Sequence, residues 1–175
     1  MEFDGATGWL VGEAHKGMAA MFTMMNNARL SVAAQGVGVA EAALQHALAY
    51  AADRKQGATP LSKTGAIIDH ADVRRMLALM RAEVFAARAI ALSCAVAIDM
   101  ATATGSAEWQ ARAAFLTPIA KAHGTDIGCE VSHLGVQIHG GMGFIEETGA
   151  AQFSRDARIT PIYEGTNGIQ AMDLV

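Results

Sequence analysis

The 175-residue sequence is poor in several features that define common classes of protein. Its two cysteines, Cys94 and Cys129, are too few for a disulfide scaffold, and such a low number is typical of a reducing compartment. Charged residues make up 17% of the chain and hydrophobic residues 52%, which excludes a disordered linker. The sequence therefore has enough apolar side chains to build the packed core of one domain.

Positive charge is also scarce, because 13 Lys and Arg stand against 17 Asp and Glu and the formal net charge is −4. No run of basic residues is present, which argues against a nucleic-acid partner. Charged residues or histidines interrupt each apolar stretch before it reaches the ~18 residues of a membrane span. Glu2 and Asp4 stand where a signal peptide has basic residues. We therefore expect a cytoplasmic protein without a membrane span.

Proline occurs only three times, whereas alanine and methionine are common, and this composition favours helices. Apolar or small residues recur at steps of three and four in three long stretches, which predicts amphipathic helices. These stretches cover residues 18–54, 70–103 and 108–139, and shorter helices are expected near 149–157 and from Thr166 onward. Because short loops join these helices, we expect an all-α fold, an antiparallel up-and-down bundle of the four-helix type.

Four positions within this pattern carry specific expectations. Asp69 and Ser106 precede the second and third helices and are residue types that cap a helix N-terminus. Gly36 and Gly38 lie inside the first helix, where glycine is less favourable than alanine by about 1 kcal/mol. Either the close approach of another helix or a kink would explain these two glycines.

The first sixteen residues do not share the helical pattern. Residues 5–13 form a short apolar run bracketed by glycines, which is typical of a strand or an extended lead-in. A single strand would have no pairing partner in this chain. We therefore expect residues 1–16 to be a linker or the tail of an upstream domain, and residues 17–175 to form the helical domain.

Three residues have a spacing that could begin a zinc site. Cys129 and His133 lie four residues apart on one predicted helix, and His139 follows six residues later. No second pair with ligand spacing follows, so a structural role is the favoured interpretation.

The segment ITPIYEGTNG, residues 159–168, is the most informative loop. Glu164 lies among isoleucine, proline and tyrosine, just before a helix that Thr166 could cap. A carboxylate partly withdrawn from water is a stronger base near neutral pH, and Gly165 allows a ligand to approach the backbone. A solvated acidic side chain is the alternative.

Two arginines and a pair of glycines are candidate binding elements. Arg29 and Arg54 interrupt apolar or small surroundings on the first helix and could bind an anion such as a phosphate, with surface salt bridges as the alternative. Gly140 and Gly141 follow a predicted helix end. There, glycine either caps the helix or lets a ligand approach the backbone.

Five stretches, in this order and at this spacing, resemble the C-terminal helical domain of the acyl-CoA dehydrogenases. They are MNNARL (25–30), ADRKQG (52–57), QIHGGMGF (137–144), RDARI (155–159) and IYEGT (162–166). The resemblance extends over about residues 17–175. Two further stretches, FTMMNNAR (22–29) and FIEETG (144–149), are most similar to the longer bacterial subgroup that includes 3-methylmercaptopropionyl-CoA dehydrogenases.

The resemblance implies a helical bundle, residues 17–175, that packs on a middle β-domain, of which residues 1–16 would be the tail. It implies α,β-dehydrogenation of an acyl-CoA thioester with FAD, in which Glu164 is the base that removes the α-proton. Arg29 and Gly165 would lie near the acyl-CoA substrate. Thr166 would lie near FAD, and the residues implied to contact the FAD held by a neighbouring subunit are Arg54, Gln137, Gly140 and Gly141.

The resemblance also implies partners and a location. It implies a homo-dimer or homo-tetramer in the bacterial cytoplasm and an electron-transfer flavoprotein as electron acceptor. As a piece of such an enzyme, the chain alone is expected to be inactive. The alternative from another class is a non-catalytic helical oligomerisation module.

Overall fold

The computed structural model describes residues 2–60 and 62–175, and long helices dominate it. Three helices contain more than thirty residues each: α1 (Gly17–Asp53), α2 (Ala71–Thr104) and α3 (Ala107–His139). Three short helices follow: α4 (Gly141–Phe144), α5 (Ala150–Ala157) and α6 (Asn167–Met172). No strand is present among the described residues, so the predicted all-α fold is confirmed.

The three long helices pack against one another, and α5 packs against α1 and α3. The main core contains apolar side chains from each long helix, including Leu44 of α1, Met80 of α2 and Val131 of α3. A second, smaller cluster surrounds Cys94 on α2. Burial of these apolar stripes away from water is the main stabilising term for the bundle.

A glycine contact brings α1 and α3 together at the backbone. A Cβ atom added to Gly36 would overlap the carbonyl oxygen of Gly124, and one added to Gly128 would lie 3.0 Å from the Gly36 oxygen. Gly38, in contrast, has no neighbouring atom within 4 Å of such a Cβ. Of the two explanations considered for these glycines, the close approach of another helix is found at Gly36 and not at Gly38.

The segment before α1 is extended and bent, and it forms no strand. Residues 2–16 are exposed, and the chain turns at Gly5 and Gly12, which have positive φ angles of 64° and 86°. The possible strand over residues 5–13 is therefore absent from this structure, because the segment has no edge of a sheet to pair with. The extended lead-in is the interpretation that the structure favours.

The predicted capping roles are confirmed at one residue and wrong at another. The Thr166 hydroxyl accepts a hydrogen bond from the Ile169 N–H at 3.3 Å, as a cap of α6 does. Asp69 does not cap α2, because its carboxylate closes the preceding loop by accepting from Lys63 and Thr64. Ser106 occupies the N-cap position of α3, but its side chain accepts no hydrogen bond from the helix.

Helix α2 corrects one expectation from composition. In the described part of the chain, it is the one helix whose length and apolar composition would suffice to cross a membrane. Met76, Met80 and Val84 of α2 are nevertheless buried in the core that it shares with α1 and α3. Core helices of bundles have the same composition, so we retain the interpretation of α2 as a bundle helix.

Candidate functional site

The residues singled out in the sequence gather in two regions along α3. The first, which we call the glutamate loop, is residues 158–166, and it packs near Lys121 on α3. The second, which we call the glycine groove, lies where α3 ends at Gly140. Lys121 and Gly140 are 19 residues apart, a separation of roughly 28 Å along a helix.

The backbone of the glutamate loop turns through two consecutive left-handed residues. Glu164 has a φ angle of 56° and Gly165 one of 82°. This conformation is unfavourable for a residue with a Cβ atom, so Glu164 stores local strain that its surroundings must offset. Glu164 as a residue is half-buried.

Two buried side chains hold the carbonyl groups of this turn. The Lys121 ammonium donates to the Gly165 carbonyl oxygen at 2.7 Å. The Gln170 side-chain amide donates to the same oxygen at 3.2 Å and to the backbone carbonyl oxygen of Glu164 at 3.4 Å. Both side chains are 0% exposed, so these bonds form away from competing water.

Asn167 links the turn to α3 through a network of side-chain hydrogen bonds. Its amide oxygen accepts from Lys121 at 2.9 Å, and its amide nitrogen donates to Asp126 at 2.7 Å and to Thr125 at 3.0 Å. Burial lowers the pKa of Lys121 below its ordinary value, the carboxylates of Asp126 and Glu164 oppose this shift, and Arg29 reinforces it. The loop is thus tied to α3 through the side chains of Lys121 and Asn167.

The loop is tied to α1 as well. The Tyr163 hydroxyl donates to the Gln35 side chain. Arg29 is buried, pairs with Asp173 at 2.7 Å, and lies with one guanidinium nitrogen 3.6 Å from the place of a Cβ on Gly165. The expected surface salt bridge therefore needs correction, since this arginine lies inside the fold beside the glutamate loop.

The glycine groove has a volume of about 590 Å³ and an open mouth. Its walls include Tyr50, Arg54, His70, Gly140, Gly141 and Met142. Arg54 donates to Gln56 and forms no ion pair with any residue in ranges 2–60 and 62–175. The surface salt bridge considered for Arg54 is therefore not found.

The groove fits the cofactor that the sequence resemblance implies. A Cβ atom added to Gly140 or Gly141 would meet no protein atom within 4 Å, so bare backbone faces open space. Arg54 adds a guanidinium, which suits phosphate oxygens. Gln137 is exposed on the last turn of α3 and is not part of the groove wall, so of the implied cofactor residues the groove unites Arg54, Gly140 and Gly141.

His139 lines the glycine groove and belongs to an aromatic stack. Its ring lies between those of His46 and Tyr50, with centroid distances of 4.7 and 4.2 Å. One ring nitrogen, Nδ1, is 2.7 Å from the Gly135 oxygen, and the other, Nε2, is buried without a partner. Burial lowers the pKa of His139, which favours a neutral ring.

The zinc site considered for Cys129, His133 and His139 is not formed. The Cys129 thiol points to the Ala157 oxygen at 3.6 Å, whereas His139 is held in its stack. Within residues 2–60 and 62–175, no group of three His, Cys, Asp or Glu side chains is close enough to bind a metal ion. Helical spacing brings Cys129 and His133 together, but tertiary packing supplies no further ligand.

Three residues of the glutamate loop region were missed in the sequence. Lys121 and Gln170 belong to no motif, Asn167 lies in the segment 159–168 without a role assigned to it, and hydrophobic patterning assigns polar residues to the surface. One signal was available, because Lys121 directly follows Ala120 on the apolar stripe of α3. A lysine beside such a stripe is buried only when the fold supplies partners for its ammonium group.

Comparison with known proteins gives consistent matches over the helical domain. The family model described as "Acyl-CoA dehydrogenase, C-terminal domain" matches residues 15–175. A 3-methylmercaptopropionyl-CoA dehydrogenase of Ruegeria pomeroyi is 53% identical over 182 aligned positions, which cover 100% of this chain and 31% of the relative.

Solved structures give the same result. The butyryl-CoA dehydrogenase of Megasphaera elsdenii is 34% identical with a TM-score of 0.79, and the match covers 93% of this chain and 39% of that one. A chain from a structure described as an electron transferring flavoprotein of Acidaminococcus fermentans is 29% identical, also with a TM-score of 0.79 and the same coverage of 93% and 39%. This chain therefore spans about a third of the length of these proteins.

Proposed function

The chain belongs to the acyl-CoA dehydrogenase family, and from this we propose that it is the C-terminal helical domain of a longer FAD-dependent enzyme. The proposed reaction is the α,β-dehydrogenation of an acyl-CoA thioester, with Glu164 as the base that takes the α-proton. The observation that carries this proposal is the glutamate loop. There, buried donors hold the strained turn that carries the half-buried residue Glu164.

Removing a proton next to a thioester is difficult because the α-carbon is only weakly acidic. The base must therefore act where the charge developing on the thioester oxygen is stabilised by a hydrogen-bond donor. In the part of the chain that the structure describes, the Glu164 N–H donates to no protein acceptor. The family resemblance assigns this N–H to the substrate carbonyl, and Glu164 would then supply both the proton acceptor and one donor.

The glycine groove is the proposed contact with FAD. Arg54 would bind its phosphate oxygens, and the bare backbone at Gly140 and Gly141 would let the cofactor approach closely. Gln137 and Thr166 remain proposed contacts on the resemblance alone. FAD, when bound, supplies the two-electron oxidation that accompanies removal of the proton.

The partners are proposals of the same kind. The Acidaminococcus fermentans structure is described as an electron transferring flavoprotein, and we propose a protein of that type as the electron acceptor. We also propose that acyl-CoA is the substrate and that the enzyme is a homo-dimer or homo-tetramer in the cytoplasm. The names of the relatives support the acyl-CoA substrate.

The test is the variant Glu164→Gln in the full-length dehydrogenase, which keeps the side-chain size and removes the base. We expect the rate of flavin reduction by acyl-CoA under anaerobic conditions to fall by at least about 100-fold, the lower end for general-base catalysis. Glu147→Gln, a change at an exposed carboxylate, is the matched control and should reduce flavin normally. Near-normal flavin reduction by Glu164→Gln would refute the assignment and favour a non-catalytic helical module.

A further inference from the structure

We propose that Lys121 is a positioning residue, which holds the turn at Glu164 and Gly165 in its left-handed conformation and so sets the place of the Glu164 carboxylate. This inference rests on the proposed function, because only a catalytic Glu164 needs a fixed position. Lys121 lies on α3 and would touch neither substrate nor cofactor, since it is 0% exposed beneath the loop.

The first step of the argument is the burial of Lys121. An ammonium group in the interior is unfavourable unless it is fully partnered, and an apolar side chain of similar length would fill the same space without that penalty. What lysine adds is a pair of short hydrogen bonds, to the Gly165 carbonyl at 2.7 Å and to the Asn167 amide oxygen at 2.9 Å. Both acceptors belong to the segment that carries Glu164.

The second step is the direction of the peptide groups. Because Glu164 has a positive φ angle, the turn would relax toward a commoner conformation if its carbonyl groups were released. The Gly165 oxygen has two buried donors, Lys121 and Gln170, and Lys121 makes the shorter bond. Rotation of the peptide after Gly165 must break both bonds, so the two donors hold the turn in place.

The third step is that the hydrogen bonds from Lys121 to the turn do not depend on its charge. Burial and Arg29 lower its pKa, whereas Asp126 and Glu164 raise it. Either the ammonium or the neutral amine has enough N–H groups to donate to both oxygens. Lys121 therefore acts on Glu164 through geometry, and a shift of about 1 Å in a reacting group can lower a rate by about 100-fold.

The experiment uses Lys121→Met in the full-length dehydrogenase loaded with FAD, because methionine keeps the length of the side chain and removes both donors. The first readout is the limiting rate of flavin reduction per bound flavin, which loss of folded protein does not change. We expect this rate to fall by about 10- to 100-fold while the dissociation constant of acyl-CoA changes by less than about threefold. An unchanged rate per flavin would overturn the proposal.

The second readout is hydrogen–deuterium exchange of the backbone amides of residues 160–170. In Lys121→Met we expect faster exchange in this segment and unchanged exchange in residues 127–139 of α3. Ser132→Ala is the matched control, since Ser132 is equally buried on α3 and bonds only to its own helix at Cys129. A variant of Ser132 that slowed flavin reduction as much as Lys121→Met would also overturn the proposal.

A second variant keeps the test decisive if Lys121→Met does not fold. Asn167→Ala removes the amide oxygen that accepts one of the two Lys121 hydrogen bonds. We expect a smaller fall in the rate of flavin reduction per bound flavin, by at least about threefold. An unchanged rate in Asn167→Ala would overturn the proposal. Glu164→Gln separates the two hypotheses: if it reduces flavin normally, the proposed function fails, whereas if it is inactive and Lys121→Met is not impaired, only the positioning role fails.

Discussion

The glutamate loop and the glycine groove differ in how they satisfy their polar groups. Beside the glutamate loop, the buried side chains of Lys121 and Gln170 donate to the Gly165 carbonyl of the turn, and the Asn167 amide oxygen accepts from Lys121. In the glycine groove, Gly140 and Gly141 present bare backbone to open space, and Arg54 has no acidic partner in the described chain.

This difference follows from the tasks that we propose for the two regions. A reacting side chain must be held by its own fold, because its position sets the rate. A cofactor contact must instead leave space and an unmatched charge for the group that arrives. Small substitutions, such as glycine to alanine, can therefore test each region separately.

The largest effect is expected at Gly36, where α1 and α3 meet between the two regions. Gly36→Ala would push its new methyl group into the backbone of Gly124, and we expect a loss of about 2–3 kcal/mol in the free energy of unfolding. Gly38→Ala, in free space on the same helix, should instead stabilise by up to about 1 kcal/mol. Urea unfolding of the purified chain measures both, and equal stabilities would contradict the close contact of these helices.

The next largest effect is expected when a glycine of each region is replaced by alanine and the unfolding free energies are compared. Gly165→Ala would place a methyl group 2.8 Å from the Gln170 nitrogen at a positive φ angle, and we expect a loss of about 2 kcal/mol in unfolding free energy. Gly141→Ala meets no atom within 4 Å and should leave the unfolding free energy nearly unchanged.

The same glycine pair also tests the cofactor contact. In the full-length dehydrogenase, Gly141→Ala should lower the flavin content of the purified enzyme, measured by absorbance at the flavin band, because the methyl group fills the proposed approach to the backbone. Full flavin content in Gly141→Ala would show that the glycine groove is not where FAD binds.

The smallest effect concerns pH and the buried ring beside the groove. Burial lowers the pKa of His139, and the nearby His46 lowers it further. At pH above about 6.5 the ring is neutral in both the folded and the unfolded state, so it has no effect on stability. As the pH falls below this value, the unfolded state binds a proton first, and stability is lost until the folded-state pKa is passed.

We therefore expect the melting temperature to fall between pH 7 and pH 5, and to fall less in His139→Gln. Thermal unfolding followed by circular dichroism at several pH values measures the two slopes. Identical slopes would show that His139 does not carry this dependence.

Much of the bundle followed from the sequence. The periodicity predicted each long helix to within about two residues of its observed ends, and the resemblance to the acyl-CoA dehydrogenases is confirmed by the family model and the relatives. The cap at Thr166, where α6 begins, was also predicted, and the close contact at Gly36 was one of the two explanations considered for that glycine. The roles of Glu164 and of the cofactor residues remain proposals, which the experiments above test.

Other features were not predicted because they depend on distant partners. Asp69 has the chemistry of a cap, but the loop before it supplied nearer N–H groups. Arg29 was expected at the surface or near the substrate, and it is buried and paired with Asp173, 144 residues later. Gln137 shares a motif with Gly140, yet its helical position directs it away from the groove wall.

The sequence by itself determined the helices, their apolar faces and the family, because these depend on neighbours three or four residues away and on the order of short motifs. Only the tertiary structure decided that Lys121 is buried beneath the glutamate loop, bonded to a carbonyl 44 residues away. A lysine has the same local preferences on a surface and in a core, and the partners that make its burial tolerable are brought to it by folding.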